Sequence, residues 1–174
     1  MSETLVAPAT AAPPDADIAF DELYRSSRDD VYAYAAGLLR DRAAAEDVTA
    51  TAFERAYRKR SRFDPNRGNR RAWLFGIARN AALDELRRRS RQAELASDPI
   101  DMTSLDAERS EQRLALIDAL GRLDGREREL VALKFFAGLA NAEIAAVLNI
   151  SESNAGTKLH RVVAKLREAC DGAL

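Results

Sequence analysis

One cysteine, one histidine and one tryptophan in 174 residues remove whole classes of chemistry at once. A lone Cys170 cannot build a disulfide framework or a multi-cysteine zinc site, and His160 has no partner at metal-ligand spacing, so neither metal nor cofactor is expected. Aromatic residues are scarce at 6%, against 47% hydrophobic and 32% charged. With only eight glycines and five prolines, that balance suits an all-α fold rather than a sheet. No apolar run approaches the roughly 18 residues of a membrane span. The N-terminus has neither the basic start nor the apolar core of a signal peptide, so the expected compartment is the cytoplasm. A glycine-rich phosphate loop is missing and the acids are scattered over helix positions, which leaves no catalytic residue to name and makes an enzyme the weakest reading.

What is present is charge, and it is segregated. The formal net charge is only −1, yet residues 54 to 91 carry thirteen Lys or Arg against four acids, a local balance of +9. Residues 92 to 112 reverse the sign, with six acids against Arg109 alone. A basic half followed by an acidic joint points to a polyanion partner for the first, the alternative being a solvated charged surface.

Periodicity and punctuation give the organisation. Residues 1 to 17, rich in Ala, Pro and acid, read as a disordered tail. Ile18, Phe20, Leu23, Tyr24, Val31, Tyr34 and Leu38 predict a helix to about Leu39. Asp41 is placed to cap a second helix from Arg42 through Tyr57. The segment SRFDPNRGNR then breaks the pattern as a basic loop, and Asn69 can cap a third helix. That helix, WLFGIARNAALDELRRRSR at residues 73 to 91, is apolar around most of its wheel. Gly76, Arg79, Asn80 and Arg87 fall together in the remaining stripe. Trp73 lies on the apolar arc, where packing is favoured over stacking on a ligand.

A second unit follows the acidic joint. Leu114, Ile117, Leu120 and Leu123 predict a short helix, and Asp124 with Glu127 has capping-box spacing for another through about Phe136. After Gly138, a short helix with Ile144, Ala145 and Leu148 inward leads to Asn149, which tolerates a left-handed turn. Ser151 then caps a longer helix whose inward stripe is Ala155, Leu159, Val162 and Leu166. This is a helix-turn-helix pattern. Its outward face carries Ser153, Asn154, Thr157, His160 and Arg161, with Lys158 and Lys165 beside them. Such residue types can meet base edges and phosphates in a major groove.

Four segments, FDELYRSSRDDVYAYAAGLLRD, AEDVTATAFERAY, RAWLFGIARNAALDELRRR and LANAEIAAVLNISESNAGTKLHRVVAKLR, together resemble bacterial RNA polymerase sigma factors of the extracytoplasmic-function (ECF) group, over residues 20 to 170. The resemblance implies two helical domains. Residues 18 to 91 correspond to region 2, which binds core polymerase and opens the −10 element; residues 113 to 170 correspond to region 4, which reads the −35 element. Residues 92 to 112 would be a flexible acidic linker, lying in the family along the channel that later holds RNA. By the same resemblance, Asp47, Thr51, Phe53 and Arg55 would contact core polymerase. Lys59, Arg60, Arg62, Arg70, Arg71, Arg79, Asn80 and Arg87 would hold the −10 single strand. Ser151, Ser153, Asn154, Thr157, Lys158, Arg161 and Lys165 would meet −35 DNA. The implied partners are core RNA polymerase, promoter DNA and an anti-sigma factor, without direct membrane insertion.

The sequence departs from the family pattern at several places. Ala50 and Thr51 replace a glutamine and an acid in the core-binding helix. Ala140 stands where a capping serine is usual, leaving Asn141 to cap one residue later. Gly156 replaces a frequent lysine, removing a phosphate contact and costing about 1 kcal/mol of helix propensity. The competing reading is a stand-alone helix-turn-helix regulator, with the first domain as a sensor or dimerisation module.

Overall fold

The computed structural model describes residues 14–95 and 111–171, and every regular element among them is helical. Three helices form the first domain: α1 (Pro14–Leu39), α2 (Arg42–Lys59) and α3 (Arg70–Leu95). Four form the second: α4 (Glu111–Gly121), α5 (Gly125–Val131), α6 (Asn141–Leu148) and α7 (Glu152–Asp171). The all-α expectation is met. Helix α1 starts earlier than the periodicity predicts, so residues 14 to 17 are helix rather than tail. A proline at the first helical position loses nothing there, because that N–H has no intrahelical partner. Residues 1 to 13 and 96 to 110, covering most of the tail and the acidic joint, lie outside the described residues.

Helix α1 ends without the usual glycine. Arg40 itself adopts the left-handed conformation (φ 55°) and its N–H reaches the Ala36 carbonyl. Asp41 caps α2 as expected, its Oδ1 accepting from the Ala44 N–H at 3.0 Å, and Arg89 from α3 binds the other oxygen at 2.7 Å. Asn69 caps α3 through Oδ1, accepting from the Ala72 N–H at 2.6 Å. Between α2 and α3 the basic segment is two single 3₁₀ turns, at Arg60–Arg62 and Pro65–Arg67.

The apolar arc of α3 is buried as its wheel predicts. Leu74, Phe75, Ala78 and Ala82 are wholly inaccessible, and Ile77 and Ala81 nearly so. They pack on Val31, Tyr34 and Leu38 of α1 and on Val48, Ala52 and Ala56 of α2, where alanines let the helices approach closely. Tyr34 meets Phe75 edge-on at 5.8 Å.

In the second domain the Asp124 and Glu127 capping box is formed in both directions. Helix α5 passes into a π-helical turn at Ala132–Phe136, closed by the bond from the Ala137 N–H to the Ala132 carbonyl. Gly138 follows with φ 67°. Asn149 takes the left-handed conformation (φ 54°, ψ 49°) and Ser151 caps α7, accepting from the Asn154 N–H. One expectation fails here. Ala140, not Asn141, is the N-cap of α6; its N–H is taken by Glu143 at 2.8 Å, and Asn141 Oδ1 instead accepts from Lys134. The Glu143 carboxylate supplies only the half of a capping box that takes the Ala140 N–H, and α6 starts without a side-chain cap.

The two domains are packed against each other. The π turn sits on α1, α6 sits on α3, and buried residues of both domains form one continuous apolar cluster.

Candidate nucleic-acid interface

Helix α3 positions the central residues. Its buried arc fixes the rotation, which leaves Gly76, Arg79 and Asn80 facing a cleft of about 490 Å³. The other walls are Arg62, Phe63, Asp64, Gly68, Asn69 and Trp73, with Ala146 and Val147 from α6 opposite. Three kinds of group meet there: the cation Arg62, the amides Asn69 and Asn80, and the aromatic pair Phe63 and Trp73, whose rings lie 5.5 Å apart. Cation, amide edge and aromatic face are the means by which an unstacked nucleotide is held. Trp73 packs against the core, as its place on the apolar arc predicts, and also lines the cleft.

The predicted strand-binding residues do not all converge. Asn80 and Arg62 are exposed at the cleft, and Lys59 is exposed at the end of α2. Arg60 lies over the Tyr57 ring at 3.8 Å, and Arg70 over Phe63 at 4.9 Å. Arg87 is farther along α3 and engages Asp84. Arg71 is turned elsewhere, donating to Asp30 at 2.9 Å and to the Ala137 carbonyl, which makes it a tie between helices here. Neither Arg70 nor Arg71 lines the cleft. Arg79 is paired with Glu129 of α5, Nε to Oε1 at 2.6 Å and Nη2 to Oε2 at 3.3 Å.

On α2, Asp47 is exposed and Thr51 half-buried. Arg55 binds Asp84 of α3 at 3.1 Å. Phe53 is 6% exposed, packed edge-on against Tyr24 (4.8 Å) and Phe20 (6.4 Å), and with Tyr24 and Tyr32 it lines a surface groove. Tyr24 and Tyr57 are the exposed aromatics there.

The helix-turn-helix presents its face as expected. Ser151, Ser153, Asn154, Thr157, Lys158 and Arg161 are all exposed on one end of α7. Thr157 donates back to the Ser153 carbonyl, and Lys165 is bound to Glu127 of α5 at 2.8 Å, so it serves first to hold α7 on α5.

Sequence reasoning missed Asn69 as a cleft residue and Glu129 and Glu143 altogether. Asn69 was legible only as a cap. That role fixes its amide, and the free Nδ2 donates to Glu143 at 2.9 Å. Glu129 is 6% exposed, yet it follows three charged residues, Arg126, Glu127 and Arg128, so nothing local marks it as the buried one.

Comparison with known proteins now decides the family. The sigma-70 region 2 model matches residues 23–92 and the sigma-70 region 4 model residues 113–166. The chain belongs to the sigma-70 family. Among relatives, it is 35% identical to RNA polymerase sigma factor CarQ of Myxococcus xanthus over 86% of this chain and 88% of that one. It is 29% identical to ECF sigma factor SigM of Bacillus subtilis over 84% and 92%. With ECF sigma factor BldN of Streptomyces coelicolor the identity is 33%, over 85% of this chain but only 59% of BldN. These relatives place it in the ECF group of sigma factors, the promoter-specificity subunits of bacterial RNA polymerase. Among solved structures, the sigma factor RpoE bound to anti-sigma factor NepR of Bartonella quintana shares the fold (TM-score 0.69, 23% identity, 88% and 97% coverage). CnrH in complex with the cytosolic domain of CnrY aligns with TM-score 0.61 at 27% identity, over 90% of each chain.

Proposed function

We propose that this sigma factor directs core RNA polymerase to promoters through two separate surfaces. The cleft on α3 captures the melted −10 strand, with Asn80 and Asn69 reading an extruded base, Trp73 and Phe63 giving it an apolar wall, and Arg62, Arg79 and Lys59 following the phosphates. The exposed end of α7 reads duplex DNA at −35, through Ser153, Asn154, Thr157 and Arg161. Asp47, Thr51, Phe53 and Arg55 belong to the face that meets core polymerase.

The observation that carries this reading is the assembly of cation, amides and aromatics around one cleft on a helix whose apolar arc, Leu74, Phe75, Ala78 and Ala82, is buried in the core. Rigid preorganisation of that kind suits capture of a base whose unstacking costs a few kcal/mol. The residues 18–91 and 113–170 act as the two modules and 92–112 as their connection, in keeping with the two matched segments. The chain works in the cytoplasm as a recognition subunit with no catalytic step of its own. Among the described residues no helix is long and apolar enough to cross a membrane. An anti-sigma protein is its expected inhibitor, since RpoE was solved bound to one.

Run-off transcription with core polymerase on genomic fragments tests the reading. Discrete start sites are expected only when the protein is present, and Asn80→Ala is expected to lower open-complex formation more than closed-complex binding. If core gains no start sites while the protein alone footprints duplex DNA, the chain is a stand-alone regulator and this assignment falls.

A further inference from the structure

Nearly the same short motif occurs twice in the chain, on two different backbones. Only Ser61 and Ser90, among its serines and threonines, directly follow three basic residues, and each is followed by a further arginine. Arg58, Lys59 and Arg60 precede Ser61, and Arg87, Arg88 and Arg89 precede Ser90. By local chemistry the two serines are equivalent, and only the fold tells them apart.

Ser61 is exposed in the middle of the single 3₁₀ turn Arg60–Arg62. One bond of 3.4 Å, from the Phe63 N–H to the Arg60 carbonyl, closes that turn. The backbone is already extended at Phe63 (φ −67°, ψ 126°) and Asp64 (φ −110°, ψ 111°), so little structure has to be released for the segment to straighten. Its flanking cations are on the surface. Lys59 and Arg62 are exposed, and Arg58 is held by an exposed ion pair with Glu54, a kind of pair that contributes little. Ser90 instead lies inside the regular helix α3. Two of the arginines before it are anchored, Arg88 on Glu85, and Arg89 on both Glu85 and Asp41.

We infer that Ser61 is a phosphoacceptor site for an arginine-directed serine kinase, and that phosphate there switches off strand capture by the basic loop. Kinases of that class read the cations before the acceptor with carboxylates of their own, along a substrate segment held extended. The Ser61 Oγ attacks the γ-phosphorus of the nucleoside triphosphate that the kinase holds. The new O–P bond forms as the bond to the bridging oxygen breaks, nucleoside diphosphate leaves, and the hydroxyl proton passes to a kinase carboxylate. The product carries a charge of about −1.5 to −2 beside Lys59 and Arg62. Its oxygens make the same demand on those cations as a DNA phosphate does, and being tethered to the chain they are always at hand. The effect on DNA rests on the assignment of this loop and cleft to the melted strand; the modification itself does not.

The test treats the full chain and Ser61→Ala with MgATP and the catalytic subunit of cyclic-AMP-dependent protein kinase, and in parallel with MgATP and a soluble extract of the source cells. Peptide mass spectrometry locates the phosphate. Binding of a fluorescein-labelled random-sequence single-stranded DNA 12-mer is then followed by anisotropy over a salt series, before and after phosphatase.

Both treatments are expected to place phosphate on Ser61 and not on Ser90. Strand binding is expected to weaken about 10-fold at about 0.1 M salt, with the slope of log affinity against log salt reduced by about 1 to 1.5. Phosphatase is expected to reverse the loss, and kinase-treated Ser61→Ala to bind as the untreated parent does. Absence of phosphate at Ser61 in either treatment, or faster incorporation at Ser90, overturns the site. Phosphate on Ser61 that leaves 12-mer binding unchanged overturns the switch. Run-off transcription with core polymerase and the untreated chain judges the sigma assignment separately, since its failure leaves the mapped phosphate standing.

Discussion

Tyr34 shows how one side chain can record the cost of an arrangement. It is wholly buried, its ring is used against Phe75, and its hydroxyl has no partner. Burial, and after it the Glu129 carboxylate, push the phenol far above its ordinary pKa, so it stays neutral at all working pH values. Tyr34→Phe removes an unsatisfied donor and nothing else, and is expected to stabilise the chain by about 1 kcal/mol, measured as a raised urea midpoint. Asp41 is the opposite case. The Ala44 amide, then Arg89, hold its carboxyl below the usual range, and Arg88 with Arg89 does the same for Glu85. Groups depressed in the folded state contribute stability that is full above the unfolded pKa, about 4, and is lost as pH falls through the lower folded value. The urea midpoint is therefore expected to drop between pH 5 and pH 3. Asp41→Asn, which keeps a capping oxygen but cannot ionise, is expected to make that drop shallower.

At the scale of elements, local chemistry sets most boundaries. Asn149 needs no tertiary partner to end α6, since its left-handed backbone is a property of the residue and the turn. Asn149→Ala is expected to cost about 1 kcal/mol and Asn149→Gly almost nothing, as thermal unfolding would show. Gly156 in α7 has no comparable need. A Cβ there would meet only Asn141 Nδ2, at an ordinary 3.7 Å, so Gly156→Ala is expected to raise the stability of the second domain by up to about 1 kcal/mol. Arg40 marks where local reading falls short. It ends α1 in the left-handed region without glycine, and the cap of Asp41 immediately after it holds the chain there.

For the whole molecule, the two nucleic-acid surfaces respond differently to domain docking. The cleft is walled in part by Ala146 and Val147 of the second domain, whereas Ser153, Asn154, Thr157 and Arg161 of α7 are exposed. Binding to non-specific duplex DNA is therefore expected to be equal for the parent and Glu129→Gln. Arg161→Ala should weaken it in both and reduce the slope of log affinity against log salt by about 1.

The caps at Asp41, Asn69, Asp124 and Ser151, the turn at Asn149, the buried arc of α3 and the outward face of α7 were all determined by residues within a few positions of each other, so the sequence alone could specify them. The partners of Arg79, Asn69 and Arg71 were not, because they lie 50, 74 and 66 residues away. Burial of Phe53 and the docking of Phe136 on Gly37 belong with them. Periodicity states which face of a helix is buried, but only tertiary packing decides which helix buries it and which carboxylate an arginine on its rim will meet.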